Sequence, residues 1–204
     1  MFKELFLTAR DVLRERGFNP TLVNYKGVIS EADFLLADKK TDRPMPDELR
    51  MFFSELGDAF AFYPDSTEQS SLDGWEPIHL SDYIGHGQGF SSAINEDISN
   101  LAPRVDPAKL REEAERRRYW IPFYGFCGGG DLLCLDLCGR VQFYQALDWT
   151  QDSSLCEGFK VADSFIEFVE RWSEFYFVAP QGNWTSFCWD RTGVFDWDSS
   201  HFAV

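Results

Sequence analysis

The chain has 204 residues and a mass of 23.6 kDa, and its 34 Asp and Glu against 19 Lys and Arg give a formal charge of −15. A field of that sign repels phosphates and argues against a nucleic-acid binder, while 44% hydrophobic residues, with 20 Phe, 7 Trp and 7 Tyr, supply a core that a disordered acidic tail lacks. The length favours one domain with an elaboration over two independent ones.

Phe2 to Arg16 reads as a helix, because Phe2, Leu5, Phe6, Ala9 and Leu13 recur at three- and four-residue intervals and Gly17 follows. A short helix is expected at Glu31 to Lys40, with Ser30 as N-cap and Phe34, Leu35 and Leu36 as apolar contacts. Pro46 to Leu56 forms a third, opened by proline, with Asp47 and Glu48 at the positive end of the dipole and Gly57 at its close. The pattern then turns extended at Ala59 to Tyr63 and again at Trp75 to Leu80, on either side of the turn signal Pro64-Asp65-Ser66.

Asp106-Pro107 resembles a cap and first helical position leading into a highly charged helix, Lys109 to Arg118. Leu132 to Leu137 and Val141 to Leu147, joined by Cys138-Gly139-Arg140, predict an antiparallel hairpin. A helix over Asp163 to Phe175 follows, with Ser164 and Glu167 at capping-box spacing and Phe165, Phe168, Val169 and Trp172 as its apolar stripe. The aromatic-dense segment from Val178 to Val204, with turn signals at Gly182-Asn183 and Thr192-Gly193, reads as one more hairpin.

The first residues offer neither a signal-peptide apolar stretch nor a transit-peptide bias, and the longest apolar runs fall far short of the roughly 20 residues of a membrane-spanning helix. Five cysteines, at 127, 134, 138, 156 and 188, show no disulfide-scaffold spacing. A cytoplasmic protein without membrane contact is the expectation.

No pattern of catalytic residues stands out. Gly128-Gly129-Gly130-Asp131 leads into a strand, whereas a phosphate loop opens a helix, so a tight turn is the better reading. Asp131 and Asp136, five residues apart on an extended chain, point to opposite faces, which suits a turn-capping and a hairpin-flanking role better than a paired-carboxylate centre. Cys127, Cys134 and Cys138 match no zinc spacing, and His79, His86 and His201 are scattered, so neither a metal nor a cofactor is expected. A Cys127–His79 pair could assemble in space, as in any chain with this many thiols and imidazoles.

Charge is unevenly spread. Residues 44–103 hold 11 acidic groups and a single base, Arg50, for a net −10. Such a segment is either a solvated acidic face or a surface complementary to a basic partner. On the second reading Asp58, Asp65, Asp73, Glu76 and Asp82 are the candidate partner-binding residues.

Four motifs in order, Arg43 to Gly57, Trp120-Ile121-Pro122-Phe123, Gly130 to Asp136 and Ala162 to Phe168, resemble the SUKH superfamily, which includes the fungal cell-wall regulators of the Smi/Knr type and many bacterial relatives. The resemblance covers Ser30 to Trp172. It implies an α+β domain with helices packed on a curved, mainly antiparallel sheet; the chain reads as a single such domain with a core of about residues 30–175, to which the helix at 2–16 and the aromatic-rich C-terminal extension at 178–204 are added. It implies structural roles for Trp120, Pro122, Gly130, Asp131 and Asp136, and no catalytic residues.

Bacterial members resemble immunity proteins that bind and neutralise a cognate toxin, often a basic nuclease. The resemblance therefore implies a protein toxin as partner, with no direct contact to nucleic acid. A regulatory scaffold binding endogenous cytoplasmic partners, as in the fungal members, is the alternative. An enzyme, or a glycan binder with Trp184, Trp189 and Trp197 around a groove, is a further class. The long segment Asp65 to Pro103 and the aromatic extension depart from the usual small domain.

Overall fold

The computed structural model describes residues 1–24, 27–41, 44–67, 74–81, 83–85, 108, 111, 112, 115, 119–125, 132–136, 138–144, 159–179, 195, 197 and 202. These residues form an α+β fold, as expected, with helices against antiparallel strands.

Helix α1, Phe2–Glu15, buries Phe2, Phe6, Ala9 and Leu13, one stripe at alternating four- and three-residue steps. Gly17 ends it in the left-handed region at φ +91°, where the Phe18 N–H reaches back to the Leu13 carbonyl at 3.0 Å and the Gly17 N–H to that of Arg14 at 3.0 Å. This Schellman arrangement satisfies two carbonyls that the helix end would leave unpaired. The chain then enters strand β1, Thr21–Asn24.

Helix α2, Glu31–Thr41, is capped reciprocally: the Asp33 N–H donates to Ser30 Oγ at 3.3 Å and the Ser30 N–H to the Asp33 carboxylate at 3.0 Å. Only part of its expected apolar face is used, since Phe34 and Ala37 are buried while Leu35 and Leu36 are 60% and 49% exposed. Helix α3, Asp47–Leu56, begins one residue later than the proline suggests, because Pro46 has extended ψ and occupies the cap position. Its end at Gly57 has φ +85°, and a Cβ there would collide with the Asn24 side chain and the Gly27 carbonyl, so only glycine fits.

The strands form two antiparallel sheets. The first has the order β1-β2-β3, with β2 at Phe60–Tyr63 and β3 at Trp75–Ile78. The second has the order β4-β5-β6-β7, made of Ile121–Gly125, Leu132–Leu135, Val141–Tyr144 and Phe159–Ala162. Strands β3 and β4 touch at the seam, and each carries a proline, Pro77 and Pro122. Proline has no N–H to donate to a ladder and is tolerated on edge strands, so both residues suit the place where one sheet stops and the next begins. The expected single sheet is thus divided at its two prolines. Strands β5 and β6 form the expected antiparallel hairpin, with Leu135 opposite Val141 and Leu133 opposite Phe143.

Helix α4, Phe165–Glu174, is capped by Ser164, whose Oγ accepts from the Glu167 N–H at 3.0 Å, while the Glu167 carboxylate takes the Asp163 N–H at 2.8 Å. Its stripe of Phe165, Phe168, Val169 and Trp172 is buried against α1, α3 and β7. Trp75, fully buried on β3, lies at the centre of the core: Phe52 of α3 is 4.9 Å from it, Trp172 of α4 5.1 Å and Phe6 of α1 5.7 Å, ring centre to ring centre. Three helices and a strand thus share one aromatic cluster.

Of the C-terminal extension, Val178, Ala179, Phe195, Trp197 and Phe202 are described. The Phe195 N–H donates to the Lys160 carbonyl of β7 at 3.2 Å, and Phe202 stacks on Phe175 at 4.1 Å. These residues join the core. The hairpin expected over 178–204 and most of the charged helix expected over 109–118 lie outside the described residues; Ala108, Arg111, Glu112 and Glu115 are helical and exposed.

Candidate functional site

The candidate acidic residues divide by position. Asp58 precedes β2 and Asp65 follows it, so a whole strand separates them. Both carboxylates already accept backbone hydrogen bonds. Asp58 takes the Leu80 N–H at 2.7 Å, which ties the entrance of β2 to the chain leaving β3. Asp65 takes the Asn19 and Thr67 N–H groups, each at 3.3 Å, and the Thr67 hydroxyl at 3.0 Å, which organises the turn after β2. Glu76 lies on β3 between Trp75 and Pro77. Asp73 and Asp82 lie outside the described residues.

Arg50, the one base among residues 44–103, has its ion-pair partners outside this acidic series. Its guanidinium pairs with Asp38 of α2, reaches Glu31 at 3.4 Å, donates from Nε to the Met45 carbonyl at 3.2 Å and covers the Phe34 ring at 5.2 Å from its centre. The cation of the segment is therefore spent in fastening α2 to α3. Residues 12 positions apart on different helices leave no periodic trace in sequence, and the lone base within an acidic stretch was the only available signal.

Among the described residues, the carboxylates of Asp33 and Glu55 are held below their ordinary range. The Ser30 hydroxyl and backbone N–H do this to Asp33, outweighing a small desolvation. At Glu55, burial pushes the pKa up, but hydrogen bonds from the chain's terminal ammonium and the Lys3 and Phe2 N–H groups, with the ammonium's charge, more than reverse it.

The motif residues of the family resemblance are placed as follows. Trp120 and Phe123 are 3% and 1% exposed, and Pro122 is buried on β4 opposite Cys134. Asp136 accepts four hydrogen bonds at the β5–β6 turn, from the Cys138 N–H at 2.8 Å, the Arg140 N–H at 3.0 Å, Arg140 Nε at 2.7 Å and Gln142 Nε2 at 3.0 Å. One buried carboxylate thereby closes the hairpin. Gly130 and Asp131 lie outside the described residues.

Among the described residues, no three His, Cys, Asp or Glu side chains converge as a metal site would need, and no helix is long and apolar enough to cross a membrane. Cys134 is buried within β5 and Cys138 exposed at the hairpin turn, whereas Cys127 lies outside the described residues. Trp197 does not line an open groove: its indole N–H donates to the Val161 carbonyl at 3.0 Å, and its ring lies parallel to those of Phe175 and Phe202. Trp184 and Trp189 lie outside the described residues.

The profile of the SMI1 / KNR4 family (SUKH-1) matches residues 28–171, well over half of the chain. The match begins just before α2 and ends within α4, so it takes in both helices fastened by Arg50 and all strands except β1. No curated protein matches the chain.

Proposed function

The chain belongs to the SMI1 / KNR4 family (SUKH-1), and from that premise we propose that it is a non-catalytic immunity protein that binds and neutralises a cognate basic toxin, most simply a nuclease. The observation that carries this reading is the charge of residues 44–103 together with the fate of Arg50. Eleven acidic groups stand in this segment against one base, and that base is engaged with Asp38 and Glu31 of α2. No cation of the segment itself is then left to oppose the approach of a positive partner.

A nuclease must hold phosphates and is basic where it does so, and an acidic inhibitor can fill the same groove with carboxylates in place of phosphates. Within the acidic series Asp58 and Asp65 also support the fold through their backbone hydrogen bonds. Asp73, Glu76 and Asp82 are the residues we assign chiefly to the partner.

The reading is tested by co-expressing the chain with the basic C-terminal domain of a secreted protein encoded by the adjacent gene. Rescue of growth and a co-purifying complex support it. A toxin that kills regardless of the chain, or the absence of any such neighbour together with a stable complex of an endogenous cytoplasmic protein, supports the regulatory alternative instead.

A further inference from the structure

Among the described residues, strand β1 is the outer strand of its sheet and pairs with β2 alone. One residue in two along such an edge turns its N–H and C=O away from the ladder. Beside it lies a cleft of about 250 Å3 in the angle between α1, β1 and the end of α3, with Leu22, Val23 and Phe60 in its wall. Phe60 belongs to β2, the strand behind β1, so the cleft lies on the α1 side of β1.

The charge of this cleft runs against that of the molecule. Lys3 and Arg10 stand at its rim with one acid, Glu55, whose carboxylate is occupied by the terminal ammonium at 2.9 Å and the Lys3 N–H at 3.1 Å. Arg10 shares its charge with the exposed Asp11 at 2.7 Å, and the Lys3 side chain is exposed. On a chain of net charge −15, a cleft whose lining side chains carry two bases and one internally bound acid is a local positive site.

We propose that the β1 edge and this cleft receive an extended segment of a partner protein, added as a further strand, with apolar side chains entering the cleft and an acidic side chain meeting Lys3 and Arg10. Main-chain pairing along an edge supplies affinity, and the cleft and rim supply selection. A second copy of this chain is the poorer occupant, because two-fold pairing of β1 would bring Lys3 and Arg10 against their own counterparts. The four residues of β1 limit the ladder to a few bonds, which suits a weak, reversible contact. This surface is separate from the acidic series and survives if the toxin reading fails.

The test is NMR titration of the full-length, isotope-labelled chain with two blocked hexapeptides, one alternating valine with aspartate and one alternating valine with lysine. The acidic peptide is expected to shift the amides of residues 21–24, and to bind about tenfold more tightly than the basic one. The double variant Lys3→Glu with Arg10→Glu, checked by its melting temperature, is expected to reverse that preference. Shifts centred elsewhere, equal binding of both peptides, no shift at millimolar peptide, or sedimentation of the free chain as a dimer that pairs through β1 would each overturn the proposal.

Discussion

Arg50 of α3 and Asp38 of α2 form an ion pair in which both side chains are only 20% exposed, with the Phe34 ring beneath the guanidinium. The contact joins two helices that otherwise share little apolar surface, since Leu35 and Leu36 of α2 face solvent. Replacing Arg50 with Ala strands a half-buried carboxylate and uncovers Phe34, for an expected loss of about 2 kcal/mol. In a chain of this size that lowers the melting temperature by roughly 4–8 °C. Arg50→Lys is expected to recover only part of the loss, because a lysine cannot pair with Asp38 and lie flat on the ring together. Thermal melts of both variants check this.

A second expectation concerns the turn after α4. Tyr176 and Phe177 both have positive φ, at 54° and 57°, a costly conformation for aromatic residues. It is held because Phe177 stacks on Phe6 at 3.8 Å, Tyr176 accepts from Arg16 at 2.8 Å, and the Trp172 indole donates to the Val178 carbonyl at 2.8 Å. Phe177→Ala keeps the strain and loses the stacking, so it is expected to cost about 3–5 kcal/mol in urea denaturation.

Asp136 gives a third. Asparagine in its place keeps the volume but puts an amide N–H2 where an oxygen now accepts hydrogen bonds. Asp136→Asn is expected to cost about 1–2 kcal/mol, since Asp136 is buried with its hydrogen bonds while Arg140 stays in contact with solvent. If the urea midpoint of the variant matched that of the parent, the clasp would be of no energetic consequence.

The pH dependence follows from Glu55 and Asp33, both shifted below their ordinary values. A carboxylate with a lower pKa in the folded than in the unfolded chain adds stability that is complete above the unfolded value, near pH 4, and fades as the pH falls through the folded one. Glu55→Gln is therefore expected to be less stable than the parent at pH 7, with the gap narrowing steadily below about pH 4. Parallel stability curves from pH 7 to pH 2.5 would contradict the assignment.

The strongly periodic or capped elements were legible in the sequence. The stripe of α1, the Ser164–Glu167 cap of α4 and the β5–β6 hairpin with Gly139 at its turn all carry local signals, and the hairpin glycine has φ +79° as such a turn requires. Strands β1, β4 and β7 were not legible. Four residues each in β1 and β7 are too few to show an alternation, and Pro122 speaks against a strand unless the strand is known to be an edge. Leu35 and Leu36 look like core residues from composition alone, and only the orientation of α2 puts them outside.

The acidic series was legible as composition and no further. Nothing in the sequence says that Asp58 and Asp65 tie distant segments to opposite ends of one strand, because Leu80 and Asn19 lie 22 and 46 residues away; only the Thr67 contact of Asp65 is local. The same holds for the cleft at β1, whose rim joins Lys3 and Arg10 of α1 to Glu55 of α3.

Steering of a basic toxin by the acidic segment would be read in stopped-flow association. The parent chain and the variant carrying Asp73→Lys, Glu76→Lys and Asp82→Lys would be mixed with the basic toxin domain encoded by the adjacent gene, across about 50 to 300 mM salt. Association is expected to be at least about tenfold slower for the variant at low salt, with a flatter dependence on ionic strength. An association rate and salt slope equal to the parent's, in a variant that melts at the parent's temperature, would contradict it.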